Sequence, residues 1–375
     1  MSTLSDRKKQ TKSMILQYMM NHDFTTKAEM SSRLNLSMPT VINNTNELIA
    51  EKFVVEVGEL ESTGGRKAKR LSINKDKKYS VGIEITKNHI SMVLVNMKGQ
   101  LEKKYRTRLA FHPDIDYYRS VSDLLSEFIK DQDPNRILGV GFALPGIVNG
   151  DEKILVKSHA LQLENYCLGM FHECTSYPLH FINDANAALV AELPLDGADT
   201  VYLSLNQTLG GAVYSEGKIS AGRNRKAGEF GHMILYPGGK QCYCGKCGCS
   251  DAYLAASVLT GYADESMDLF IKNLKQDIRE KKETERTSLW RTYLDNLAIL
   301  ITNLRMAYDT NILLGGDVGG FLEEHHLTLG EKLLKYNLFD RDISYIRYGK
   351  YKKEAPAIGA AKVFFYEYVK NACLL

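Results

Sequence analysis

Four of the seven cysteines in this 375-residue chain, Cys242, Cys244, Cys247 and Cys249, fall within one short stretch, while Cys167, Cys174 and Cys373 are scattered. The N-terminus carries Asp6, Arg7, Lys8 and Lys9 with no apolar run behind them, so no secretory leader is expected. In a long cytoplasmic chain, clustered cysteines point to a metal site before they point to disulfides. A Cys-x-Cys pair, a further cysteine and His232 ten residues upstream make a closed Cys3His set, the ligand type of structural zinc. Gly245 and Gly248 allow the sharp turns of such a knuckle. A closed set leaves no position for a reactive water, which argues against a zinc hydrolase.

No stretch of about 18 apolar residues is present to span a bilayer, so a cytoplasmic protein with no membrane partner is expected. The length suggests two or three domains. Charge is unevenly spread. Residues 1–75 hold 12 Lys/Arg against 8 Asp/Glu, and the other 300 hold 36 against 37. A basic excess confined to one end favours a polyanion-binding module there.

The first 75 residues read as three helices and a hairpin. Met14, Ile15, Tyr18 and Met19 recur at helical spacing, and Thr26 to Glu29 has the form of a capping box that opens a short helix. Ser37 caps the next helix, which tolerates Pro39 in its first turn and buries Val41, Leu48 and Ile49. Two short helices joined by a tight turn are the helix-turn-helix pattern, whose second helix enters the major groove. Met38, Pro39, Thr40, Asn43, Asn44 and Glu47 lie opposite the buried face; asparagine can pair with adenine through two hydrogen bonds. Phe53 to Val57 and Leu71 to Ile73 read as strands of a wing. Gly64 and Gly65 sit at its tip, followed by Arg66 and Lys67, a pattern suited to a narrow minor groove. Double-stranded operator DNA is therefore the expected partner.

The other 300 residues alternate strands and helices. Runs at 79–85, 90–96 and 101–107 are β-rich, 117–130 is helical and 137–143 is another buried strand. The arrangement repeats from Thr200, with runs at 201–205 and 211–214 and a late strand at 311–316. Each half thus reads as one lobe of an actin-like, ribonuclease H-like fold.

Five motifs then occur in order: GVGFALPGIV from Gly139 to Val148, NDANAA from Asn183 to Ala188, GEFGH from Gly228 to His232, CYCGKCGC from Cys242 to Cys249, and AIGAA from Ala357 to Ala361. In this order they resemble the ROK family (repressors, open reading frames, kinases), some members of which begin with a winged helix. The resemblance implies an α/β chain with a winged helix-turn-helix over residues 1–75. It also implies an N-terminal lobe over 76–190 completed by a C-terminal helix at 356–375, and a C-terminal lobe over 191–355.

The resemblance further implies His232, Cys242, Cys244 and Cys249 as ligands of a structural Zn2+, with Cys247 an extra thiol that could substitute. It implies Asn183, Asp184, Glu229, His232 and Asp251 as sugar-binding residues. Asp184 stands where ROK kinases carry their catalytic base. Asp251 stands where Glu is usual, and Ala160 where the kinases tend to have Asn. The phosphate loops depart further. Glu84 to Asn88 lacks the glycine of Asp-x-Gly-x-Thr, and Asn206 to Gly210 keeps one glycine of Gly-Thr-Gly-x-Gly. No catalytic residues are therefore expected. The chain reads as a sugar-responsive repressor and homodimer, with a tetramer as the alternative assembly; an ATP-dependent ROK sugar kinase carrying a DNA-binding domain is the competing reading.

Overall fold

The structure, a computed structural model, describes residues 4–59, 67–193, 197–261, 263 and 265–371. Its first unit comprises α1 (Leu4–Met20), α2 (Lys27–Arg33), α3 (Met38–Ala50), β1 (Val54–Glu59) and β2 (Lys69–Ile73), with the two strands paired antiparallel from Val54↔Ile73. In α1 the buried stripe is Ile15, Leu16 and Met19, whereas Met14 is 37 % exposed. Residues i, i+1 and i+4 share one face of a helix, and Met14, the neighbour of Ile15, turns off it. Thr26 caps α2 by accepting from the Glu29 amide, 3.1 Å. The expected return bond is replaced: the Glu29 carboxylate accepts from the Thr25 hydroxyl, 3.0 Å. Thr25 is held there because its amide and carbonyl both pair with Leu71.

Two five-stranded sheets follow, with one connectivity used twice. In the first, β3 (Tyr79–Ile85), β4 (His89–Asn96) and β5 (Leu101–Arg108) are antiparallel neighbours, and β6 (Ile137–Leu144) and β10 (Leu179–Asn183) add in parallel on the far side of β3. β3 and β4 are nearly all buried, as suits strands covered on both faces; β5 is an exposed, lysine-bearing edge. Helix α4 (Ile115–Ile129) intervenes, and α5 (Asp184–Glu192) leaves the end of β10. Three short strands absent from the sequence reading, β7 (Ile147–Asn149), β8 (Ile154–Ser158) and β9 (Leu163–Cys167), form a separate antiparallel sheet.

The second sheet runs β13 (Lys218–Ile219), β12 (Leu209–Ser215), β11 (Thr200–Leu205), β14 (Asn311–Gly315), β15 (Ile346–Tyr348). Its helices are α6 (Asp251–Leu254), α7 (Ala256–Thr260), α8 (Met267–Arg279), α9 (Glu285–Tyr308), α10 (Gly316–Leu322) and α11 (His326–Tyr336). No helix among the described residues is long and apolar enough to cross a membrane.

The last helix, α12 (Ala355–Asn371), joins the parts. It lies so close to the first sheet that a Cβ on Gly82 or Gly141 would sit 1.8 or 2.1 Å from a backbone oxygen of α12. A side chain at either position would push the helix off the sheet. One apolar cluster runs from Ile15, Leu16 and Phe53 of the N-terminal unit through Ala357, Phe365 and Val369 of α12 to Ala188 and Leu189 of α5 and Tyr202 and Leu313 of the second sheet. The Phe53 and Tyr368 rings meet at 5.8 Å across the junction.

Candidate functional site

A cavity of about 430 Å³ opens between the two sheets. Its floor is the β10–α5 junction. Asn183 ends the strand and caps α5, its Oδ1 accepting from the Asn186 amide at 2.9 Å. The Asn183 Nδ2 donates to the Gly146 carbonyl, 2.8 Å, and to Asp184 Oδ1, 2.9 Å. Asp184 also accepts from the Ala185 amide, 2.9 Å. Burial pushes the Asp184 carboxyl up to about 6; the Ala185 amide opposes this and Glu229 adds to it. Glu229 and His232 face it from the opposite wall.

His232 belongs to two sites at once. Its Nδ1 lies 3.9 Å from Cys242 Sγ, and its Nε2 lies 3.2 Å from the Tyr243 hydroxyl, on the cavity side. The ligand atoms of His232, Cys242, Cys244 and Cys249 all lie within 4.8 Å of one another, and the Cys244 and Cys249 sulfurs are 3.7 Å apart. A tetrahedron with metal–sulfur bonds of about 2.3 Å has edges of about 3.8 Å, so the four donors fit one tetrahedral ion. Cys247 is exposed and outside the group. Gly248 is at φ +87°, and a Cβ there would sit 1.9 Å from the Tyr236 carbonyl oxygen, which explains a glycine in the knuckle.

Asp251 departs from expectation. It is 6 % exposed, does not line the cavity, and accepts from the Leu209 amide at 2.6 Å. As the first residue of α6, with a side chain one methylene shorter than Glu, it is held at the loop behind the wall. Tyr243, Lys157 and Lys226 are wall residues that the sequence did not single out. Tyr243 left a signal, since a side chain between two metal ligands in sequence is fixed in position by them. The His159 and Tyr243 rings meet edge to face at 5.9 Å.

Residues 80–366 match the ROK family. This chain belongs to the ROK family. Among its relatives, the xylose repressor of Bacillus subtilis (strain 168) is 27 % identical over 259 residues, 67 % of each chain. A solved ROK family transcriptional regulator, described as a homologue of E. coli MLC protein, superposes with a TM-score of 0.70 at 19 % identity and covers 98 % of both chains. The ROK hexokinase of Thermus thermophilus superposes with a TM-score of 0.63 at 22 % identity, covering 78 % of this chain and 99 % of the kinase. At these identities the two structures speak for the fold alone.

Beside the stretches compared above with the kinase phosphate loops, two backbone amides are engaged internally. The Leu209 amide is taken by Asp251, and the Asp317 amide by Asn206 Oδ1, 2.9 Å. Thr86 folds back on its own hairpin, with its hydroxyl accepting from the His89 amide at 3.1 Å. The Glu84 side chain is 13 % exposed, and burial pushes its carboxyl up to about 7, against the nearby Arg106 guanidinium at 3.8 Å. Its Oε2 has no hydrogen-bond partner among the described residues. Burial also raises Asp317.

At the N-terminal unit, Met38, Pro39 and Asn43 are exposed along α3, and Thr40 is half-buried with its hydroxyl 2.8 Å from Ser37 Oγ. Asn44 is not on this face. It is 5 % exposed and donates to the Thr40 carbonyl, 2.8 Å, because it follows Val41 by three residues and shares its buried side. Glu47 pairs with Lys8 and Lys12. Ile42, 37 % exposed, occupies the outer face instead. Lys67 is exposed at the base of the wing, and Arg66 lies outside the described residues.

Proposed function

We propose that this ROK protein is a sugar-responsive transcriptional repressor that binds operator DNA through residues 1–75 and a sugar in the interlobe cavity. The observation that carries the reading is the continuous apolar core from Ile15 and Phe53 through α12 to α5. The helix whose first residue is Asp184 is thereby packed, through one neighbour, onto the unit that carries the helix-turn-helix. Asn183, Asp184, Glu229 and His232 supply acceptors and donors for sugar hydroxyls, with Asp184 as an acceptor rather than a base. Asp251 acts indirectly by holding the Leu209 loop.

A structural Zn2+ on His232, Cys242, Cys244 and Cys249 fits the donor set and would fix the ring of His232, leaving Nε2 for the cavity. On α3, Met38, Pro39, Thr40 and Asn43 read bases, while Arg66 and Lys67 of the wing reach the backbone or minor groove. A twofold dimer places two such units on an inverted repeat. Closure of the lobes (76–190 with the C-terminal helix, against 191–355) on the sugar changes the spacing of the two units. A coupling of about 1–3 kcal/mol would change operator affinity roughly 5–150-fold.

Phosphate transfer is not part of this reading. A phosphate needs open backbone donors, and Leu209 and Asp317 have theirs occupied. Calorimetry with D-xylose, D-glucose and N-acetyl-D-glucosamine tests the reading alongside an assay for ADP release. One sugar should bind without ATP and release no ADP. Sugar phosphate formation would replace this reading with the kinase.

A further inference from the structure

A second cavity, of about 290 Å³, shares no lining residue with the first. Five segments meet around it: the end of α1 at Met20 and Asn21, the β4–β5 turn at Lys98 and Gly99, the end of α5 at Glu192, the approach to α12 at Lys350 and Tyr351, and α12 itself at Lys362, Phe365 and Tyr366. The N-terminal unit and both lobes therefore touch one space.

Its charge is unbalanced. Lys98, Lys350 and Lys362 face a single carboxylate among the described lining residues, Glu192. That carboxylate is already engaged, accepting from the Lys350 and Tyr351 backbone amides at 2.8 Å each. The Lys98 ammonium donates to the Asp23 carbonyl, 2.9 Å, with the Asp23 carboxylate at 3.7 Å. The Lys362 ammonium donates to the Ala191 carbonyl, which leaves further donor capacity on a group with three N–H bonds. Burial lowers Lys362 to about 8, and the Glu192 carboxylate beside it opposes that shift and favours the ammonium. Its path is built: a Cβ on Gly99 would sit 2.8 Å from Lys362 Cε, so the turn accommodates the lysine through a glycine at φ +73°. A recessed cation with spare donors favours an anion beside it.

We propose that this cavity binds a small phosphate monoester, held by Lys362 and Lys350, and that its occupancy adjusts operator affinity. A phosphate monoester is close to dianionic at neutral pH and matches lysine as a point charge. The volume is at the small end of ligand pockets, about 300–1,000 Å³, and Met20, Tyr351 and Phe365 offer apolar wall for a short carbon chain. The ligand would touch α1 and α12 together, and linkage then requires DNA and ligand to alter each other's affinity by the same factor. Only this second effect rests on the N-terminal unit binding DNA.

The test is thermal unfolding of the full chain at fixed ionic strength with glycerol 3-phosphate, inorganic phosphate or citrate. Glycerol 3-phosphate should raise the melting temperature with dose, inorganic phosphate should do so less, and citrate should not. Lys362→Met should abolish the shift, while Asp184→Ala, in the other cavity, should keep it. Should Lys362→Met fail to fold, Lys350→Ala on the exposed loop carries the same comparison. At matched salt, glycerol 3-phosphate should change operator affinity at least about threefold in the wild type and not in Lys362→Met, a matching that matters because DNA binding itself responds to salt. An equal response in the lysine variants, a response to citrate alone, or no response to either phosphate overturns the site. A melting shift without any change in operator affinity overturns the regulatory half.

Discussion

The Tyr243 hydroxyl stands 3.2 Å from Nε2 of His232, on the far side of the ring from Cys242. A residue lying between two cysteines of the metal cluster therefore meets the imidazole at the wall of the interlobe cavity. Tyr243→Phe removes one polar contact and leaves the four donors in place. It should keep its metal and weaken sugar binding by about 1 kcal/mol, roughly five- to tenfold, by calorimetry. Unchanged sugar affinity would mean that Tyr243 only covers the cluster.

The metal set gives a sharper expectation. Purified protein should hold about one zinc per chain. Cys242→Ser and Cys249→Ser should lose it and unfold at lower temperature, because metal affinity contributes to folding. Cys247→Ser should retain it, since Cys247 is exposed and outside the group. Metal analysis by mass spectrometry checks all three. Loss in the Cys247 variant would shift the ligand assignment by one cysteine.

Glu84 predicts an unusual pH dependence. Its carboxyl is pushed up to about 7 in the fold, above the ordinary 4.5, so the folded chain holds this proton more tightly than the unfolded one. The stability from that proton is complete below about 4.5 and is lost as pH rises through about 7, a change of about 3 kcal/mol. Asp184, raised to about 6, adds to the same slope. Denaturant unfolding between pH 5 and 8 should show Glu84→Gln with a flatter profile and higher stability than wild type at pH 8. Parallel profiles would contradict this.

On α3, the two neighbouring asparagines should behave differently. Asn43 is exposed and Asn44 is turned into the helix packing. Asn43→Ala should weaken operator binding by about 1–3 kcal/mol and relax its sequence preference. Asn44→Ala should leave sequence preference intact and act, if at all, on stability. Footprinting of both variants separates them, and a relaxed preference in Asn44→Ala would reverse the assignment.

What could be read from the sequence follows from how local each signal is. β3 and β4 were legible because both are buried along almost their whole length and carry apolar runs such as Met92 to Val95. The cysteine knuckle was legible because its donors are close in sequence. Asn44 was misplaced because a helix face drawn from composition alone tolerates an error of one residue, and one residue is a turn of about 100°. The bond that holds Asp251 was illegible for a different reason. Its partner, the Leu209 amide, is 42 residues away in the chain, and nothing local announces that bond. The short strands β7–β9 are three to five residues each, too brief to establish a period.

The most direct test of the account is operator affinity of the full chain, measured by fluorescence anisotropy without ATP, as D-xylose, D-glucose or N-acetyl-D-glucosamine is titrated. One sugar should change the affinity roughly 5–150-fold, and Asp184→Ala should abolish that change while binding sugar-free operator like the wild type. Operator affinity indifferent to every sugar in the wild type would contradict the account, as would a full sugar response in Asp184→Ala.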